Sequence, residues 1–340
     1  MRSAADDVAD AVSRAGGAIR FDAFLEIALY GPHGFYVAGG RAGRRGDYLT
    51  SPEVGPLFGE LVARAADRAW NAMGRPERLD VVDVGAGPGT LARSLAAATH
   101  EARSAARITA VERTASQRAA HPAGVASTDA LPTEIRGLVI ANELLDNVPF
   151  RLLVMDGGWR EAWVARDGDR FVEILRPADS TDVPLPARAP HGARFPVQER
   201  AAAWLAEALA SLREGVLVVV DYVRRDDDFA ERAWRDWLRT YAGHSRGGHY
   251  LGAVGRQDVT CEVSVAQLAV VRPPDRVLAQ SEWLAELGID ALVEEGRRAW
   301  HAAAARPDVA AVRMRSRAAE AAALTDPAGL GAFTVLEWRV

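Results

Sequence analysis

The chain has 340 residues, 49% hydrophobic and 26% charged, with a formal net charge of −5 at pH 7. That length can bury one large core or a core with an added subdomain, and no run of about 18 apolar residues suggests a membrane span. A single cysteine, Cys261, excludes an internal disulfide and a multi-thiolate metal site, and the acidic balance argues against a dedicated nucleic-acid binder. All 41 basic residues are arginine, so neither a Walker-type phosphate loop nor a pyridoxal Schiff base can be built. The first residues, MRSAADDVADAVSRAGG, lack an apolar centre and do not read as a secretory signal, so a cytoplasmic location is expected.

Apolar spacing predicts two short helices, over 3–15 and 20–29. A glycine-rich stretch follows, YGPHGFYVAGGRAGRRGDYLTSPE, long for a passive loop. A helix over 54–74 then carries a stripe of Leu57, Leu61, Ala65 and Ala69. Next, strands alternate with helices: a strand over 79–84, a helix over 89–99, a strand over 106–112, a short helix, and a strand over 137–142. After an interruption come a helix over 199–213 and a strand over 215–222. Short, nearly continuous apolar strands separated by helices imply a parallel sheet covered on both faces, an α/β chain with a Rossmann-like core.

The interruption, 150–198, reads as antiparallel strands joined by glycine turns at Asp156-Gly157-Gly158 and Asp167-Gly168-Asp169, with a surface loop over 177–190. Its Trp159, Trp163 and Phe171 read as packing residues. Helices are expected to dominate after 228, broken by a loop over 241–259 and ended by an antiparallel closing strand in AFTVLEWRV. The expected organisation is an N-terminal helical segment with a lid loop (1–75), a core with helical additions (76–149 and 199–340), and a β-rich insertion (150–198).

The motif VVDVGAGPGT sets Gly85, Gly87 and Gly89 in a strand-to-helix turn, where backbone can approach a ligand and the next helix offers free N–H groups. A tight turn without a ligand is the plain alternative. Asp83 lies just before the glycines, where a carboxylate faces a cationic group such as a methionine amine. Glu112 ends the next strand, where an acid can accept both ribose hydroxyls. A nicotinamide fingerprint would place glycine or alanine where Thr90 stands. The pattern therefore favours S-adenosyl-L-methionine, with S-adenosyl-L-homocysteine as product, over a dinucleotide. Asp129 is a candidate for the adenine amine, or an ordinary loop acid.

At the end of the strand over 137–142, ANELLDN brings Asn142, Glu143 and Asp146 toward the reactive side. A carboxylate there can hold a guanidinium by paired hydrogen bonds and orient it; the alternative for Asn142 and Asp146 is helix capping. In GRRGDYLTSPE, Asp47, Thr50, Ser51 and Glu53 gather ahead of a helix, as a lid over cofactor and acceptor or as a helix start. His244 and His249 are candidate bases or surface groups, and Asp221 a pocket residue or strand-end cap. Trp234 and Trp237 read as core.

The blocks FDAFLEIALYGPHGFY, GDYLTSPEVGPLFGEL, VVDVGAGPGTLA, ANELLDNVPF, VVVDY, LRTYAGH, QDVTCEV and FTVLEWRV occur in order over nearly the whole chain. Together they resemble the MidA family, methyltransferases related to the mitochondrial complex I assembly factor that methylates an arginine. The resemblance implies a methyltransferase core with added segments. It also implies cofactor binding by the glycine loop and Glu112, with Thr50, Ser51, Pro52 and Glu53 nearby. The chain departs from the family pattern at Val223, Glu262 and Ser264, all on the acceptor side. The expected enzyme needs no metal and methylates a protein side chain, arginine nitrogen by resemblance, with Glu143 and Asp146 at the acceptor. A small-molecule N- or O-methyltransferase and a non-catalytic assembly factor are the alternatives. No nucleic-acid or membrane partner is expected, and a homodimer is compatible.

Overall fold

Short, almost fully buried runs such as LDVVDV and VLVVV build the central sheet of the computed structural model, which describes residues 2–39, 50–224, 228–243 and 245–340. The described chain divides into two units: one of 1–48, 144–207 and 222–273, the other of 49–143, 208–221 and 274–340.

The second unit holds a seven-stranded sheet. Across it stand Arg276–Ala279, Thr334–Arg339, Leu212–Asp221, Ile135–Asn142, Leu79–Val84, Ala106–Val111 and Ala126–Thr128. The last five are mutually parallel, and Thr334–Arg339 runs antiparallel to both its neighbours. This is the class I methyltransferase architecture expected from the sequence. Chain order steps outward from Leu79–Val84, then returns to add Ile135–Asn142 on its other side. The topological switch point, where open α/β sheets bind ligands, lies between those two strands at their carboxyl ends.

The helix expected over 54–74 is two helices, Ser51–Val54 and Pro56–Ala72, with Gly55 in extended backbone between them. Pro56 is the reason, because the residue before a proline is pushed out of the helical region. The long helix buries Leu57, Phe58, Leu61, Val62 and Ala65 on one stripe. The strand Arg276–Ala279 was not expected; four residues in a proline-flanked segment carry little periodic signal.

The first unit is built on antiparallel sheet. Arg151–Met155, Trp159–Asp167, Arg170–Pro177 and Arg194–Val197 are the insertion strands, and Ala18–Arg20 adds to them by pairing with Trp159–Asp167. That pairing divides the expected 1–75 segment: residues 2–39 belong with the β insertion, and the helices after 50 belong with the large sheet. The insertion is also larger than the expected 150–198. Residues 222–273 join it with a three-stranded sheet of Leu238–Ala242, Ser245–Arg246 and Asp258–Cys261 in place of the expected loop. Phe21, Phe24, Phe195, Phe229, Trp237 and Tyr250 form its aromatic core. Trp237 is fully buried, and Trp159, Phe171 and Trp234 pack against the core as expected.

Candidate active site

In the second unit, the turn after Leu79–Val84 is bonded to the neighbouring strand. The amides of Gly85 and Ala86 donate to the carbonyl of Val111, and Gly89 donates to Ala86. Gly87 and Gly89 lie at φ 53° and 79°, a region that other L-residues enter at a cost. A Cβ on Gly89 would stand 3.0 Å from Pro122 and 3.1 Å from His121. The loop ends at Gly89, the N-cap of the helix Thr90–Ala97, which has no side-chain cap.

Glu112 follows Ala106–Val111 and is buried. One carboxylate oxygen accepts from the amide of Gly87 at 3.1 Å, the other from Thr114 at 2.7 Å. A carboxylate offers about four acceptor sites, so it can brace the loop and still accept further hydroxyls. His121, which sequence spacing did not single out, contacts the carbonyl of Gly87 through Nε2 at 2.9 Å and Ser127 through Nδ1 at 2.8 Å. A carbonyl only accepts, so His121 carries a proton on Nε2.

Asp83 is 3% exposed, and its Oδ2 has no hydrogen-bond partner among the described residues. Burial, with Glu112 adding like charge, pushes its carboxyl up to about 7. Asn142 Oδ1, at the end of the adjacent strand, is likewise buried without a partner among the described residues. Such an atom costs about 1–3 kcal/mol, and two of them flank the topological switch point.

Glu143 takes φ 52°, a strained value for a residue with a side chain. Its amide donates to Val220 at 2.8 Å, and Asn142 Nδ2 donates to its carboxylate at 3.0 Å. The backbone is thus pinned at the carboxyl ends of two strands. Asp221, fully buried, ends Leu212–Asp221 opposite Thr334. Ser51–Val54 reaches the same loop: Thr90 Oγ1 donates to Glu53 at 2.5 Å. Thr50 occupies the N-cap position of Ser51–Val54 without a side-chain cap bond, and Pro52 lies in its first turn. Asp129 is exposed, 3.8 Å from Arg118, which also donates to the carbonyl of Glu112.

A family model described as "Putative S-adenosyl-L-methionine-dependent methyltransferase" matches residues 61–274, more than half the chain. The chain belongs to this Methyltransf_28 family. Over 80 residues it is 39% identical to "Protein arginine methyltransferase NDUFAF7 homolog, mitochondrial" of Drosophila melanogaster, covering 23% of this chain and 18% of that protein. "Protein arginine methyltransferase NDUFAF7, mitochondrial" of Homo sapiens is 36% identical over 76 residues, 22% of this chain and 17% of its own length. The matched stretch spans under a fifth of these relatives. A crystal structure of a COG1565 superfamily member from Burkholderia thailandensis, bound to S-adenosyl-homocysteine, superposes with a TM-score of 0.82 at 27% identity, covering 99% of this chain and 92% of that one. These matches agree with the MidA resemblance.

The cofactor of a Methyltransf_28 member is S-adenosylmethionine, and the residues fit it. Asp83 presents a buried oxygen, without a partner among the described residues, for a cation; Glu112 has acceptor capacity for hydroxyls, and the glycine turn admits close approach.

The first unit holds the positions where this chain departs from the MidA pattern, and it brings them together. Val223–Arg224 pairs with Val263–Ser264, and the amide of Val263 donates to Tyr222 at 2.7 Å. Glu262 accepts from Arg232 and Arg239, each at 2.7 Å. Ser264 caps the helix Val265–Ala269 by accepting from Gln267. Asp146 lies in the turn Leu145–Asn147, whose N-cap is Leu144 with no side-chain cap bond. Asn147 in that turn donates to Asp258. The imidazole of His249 packs on Trp234 and Tyr250, and Nδ1 accepts from the amide of Leu251. Burial, and the cations of Arg194 and Arg235, lower its pKa below the usual imidazole value. Asp47 and His244 lie outside the described residues, as does the 40–49 lead-in of the expected lid.

Proposed function

We propose that the chain methylates a nitrogen of an arginine side chain in a protein, with Glu143 as the acceptor-side acid. The observation that carries this is Glu143. It is held in a left-handed backbone at the carboxyl end of Ile135–Asn142, beside the switch point of the sheet. A strained residue that the structure over-determines is a mark of a functional position. The curated names of the aligned relatives, protein arginine methyltransferases, support the acceptor class.

When bound, S-adenosylmethionine supplies an electrophilic methyl on a sulfonium whose leaving group is a neutral thioether. Asp83 binds the cationic methionine end, and Glu112 accepts the ribose hydroxyls. Gly85, Gly87 and Gly89 admit the cofactor's close approach. Thr50 to Glu53 border the loop, and Asp129 would be the acid for the adenine amine. Asn142 steadies Glu143 through its amide. Glu143 accepts a hydrogen bond from the guanidinium and takes the proton that the methylated nitrogen loses.

The test is transfer of isotopically labelled methyl from S-adenosylmethionine into cell extract, followed by mass-spectrometric location of the label. Label on arginine side chains of a protein supports the reading; label only in low-molecular-weight material refutes it. The latter would favour a small-molecule N- or O-methyltransferase.

A further inference from the structure

Two buried polar residues in the C-terminal part of the second unit lie outside 61–274 and have no role in the site as described. Gln280 opens the helix Gln280–Glu286 and is fully buried. Its Oε1 accepts from the hydroxyl of Ser51 at 2.9 Å, and Ser51 is itself fully buried. Its Nε2 donates to the carbonyl of Leu324 at 2.9 Å, and its backbone amide donates to Phe333 at 2.7 Å. The side chain therefore has one orientation, and that orientation holds Ser51.

Glu320, on the helix Val309–Leu324, is 5% exposed. Its Oε2 accepts from the amide of Leu57 at 2.9 Å, and Ser316 donates to Oε1 at 2.5 Å. Leu57 is the second residue of Pro56–Ala72, whose N-cap, Gly55, has no side chain to offer. Glu320 thus supplies from a distant helix the carboxylate that the first turn lacks. A Cβ on Gly55 would stand 2.3 Å from its carboxyl carbon, so glycine there keeps the approach open.

Both braced elements touch the glycine-loop helix, Thr90–Ala97. Ser51–Val54 does so through Glu53, which accepts from Thr90 at the first helical position. Pro56–Ala72 does so through Gly59, where a Cβ would stand 2.3 Å from the Cβ of Ser94.

We propose that Gln280 and Glu320 are positioning residues for the cofactor loop. Gln280 acts through Ser51 and Glu53 on Thr90, and Glu320 acts through the start of Pro56–Ala72 on Ser94. This rests on the glycine turn being the cofactor cradle. The two residues touch no cofactor; they set where the N-terminus of the glycine-loop helix stands.

The test uses the full chain with S-adenosylhomocysteine as probe, by titration calorimetry, and with hydrogen exchange of the cofactor-free protein. Gln280→Met and Glu320→Ala should each weaken probe binding about tenfold. They should also speed exchange at amides 87–93 while 216–220 in the central strand stays protected. Thr90→Val combined with Gln280→Met should add little to the larger single effect, because both break one chain of contacts. Glu320→Gln, which keeps an acceptor for Leu57, should bind within about threefold of wild type. If Gln280→Met does not fold, Ser51→Ala removes the same link with less disturbance. Wild-type affinity and unchanged exchange at 87–93 in Ser51→Ala and Glu320→Ala would overturn the proposal. Equal losses in Glu320→Gln and Glu320→Ala would overturn the route through Leu57. If wild type itself fails to bind the probe, the cofactor reading falls, and the exchange data still decide whether Gln280 and Glu320 hold the loop.

Discussion

The glycine-loop edge of the large sheet and the cluster around Glu262 in the β-rich unit treat buried polar groups in opposite ways. At the loop, Asp83 Oδ2 and Asn142 Oδ1 are buried without partners among the described residues, and Glu143 is held in a strained backbone. Around Glu262, two arginines and a helix cap give each of the named polar groups a partner within the unit. The first arrangement stores unsatisfied capacity that a polar, cationic ligand can answer. The second is complete as it stands. The difference separates a ligand site from a structural ion pair on local chemistry alone, and it assigns the departures from the MidA pattern at Glu262 and Ser264 structural work.

The largest test of that contrast is Gly87→Val. A β-branched residue at φ 53°, with its Cβ 3.2 Å from Gln117, should weaken S-adenosylhomocysteine binding by about a hundredfold or more in calorimetry. Wild-type affinity in this variant would remove the loop from the site.

Next is Glu143→Gln. Methyl transfer into extract should fall about a hundredfold, while calorimetric cofactor affinity stays within about threefold. Equal loss of both would make Glu143 a binding group and not an acceptor-side acid.

Asp83 should impose a pH dependence whose sign is fixed. Its folded pKa, about 7, is raised above the ordinary carboxyl value of 3.8. The stability this provides to the cofactor-free protein is present below about pH 4 and is lost as pH rises through about 7. A cationic ligand needs the ionised form, so affinity should fall about tenfold from pH 8 to pH 6. Asp83→Asn should flatten both profiles, as read by thermal melts and calorimetry across that range. Profiles in the variant that parallel the wild type would assign the dependence elsewhere.

The smallest expected effect on ligand binding is at the completed cluster. Glu262→Gln should lower the melting temperature by a few degrees, reflecting about 1–3 kcal/mol, and leave S-adenosylhomocysteine affinity within about twofold. A tenfold loss of affinity would erase the distinction between the two regions.

Much of the site-bearing half was legible in the sequence because its signals are local. Four of the five parallel strands, their helices and the turn at Gly85–Gly89 lie within short windows of alternating period, and the parallel order follows from the connections between them. The strand Arg276–Ala279 was not legible, because its partner begins at Thr334 and its four residues show no period. The three-stranded sheet at 238–261 read as loop for a similar reason: glycines interrupt it, and its pairing residues are scattered. Within the site, Asp83 and Glu112 could be read from their places at strand ends. Thr90 could be read only as a marker of spacing. Its bond to Glu53 joins residues 37 apart, and those of Gln280 and Glu320 reach more than 200 residues back. Contacts at such separations are products of packing, which no window of sequence contains.

The most direct test of the cofactor site is calorimetry of S-adenosylhomocysteine binding at pH 7 in buffers of different ionisation enthalpy, for wild type and Asp83→Asn. With Asp83 half-protonated near pH 7 in the free protein, wild type should release about half a proton more per ligand bound than the variant. Equal proton release in the two proteins, or no binding by wild type, would contradict a cofactor seated on Asp83 at the glycine turn.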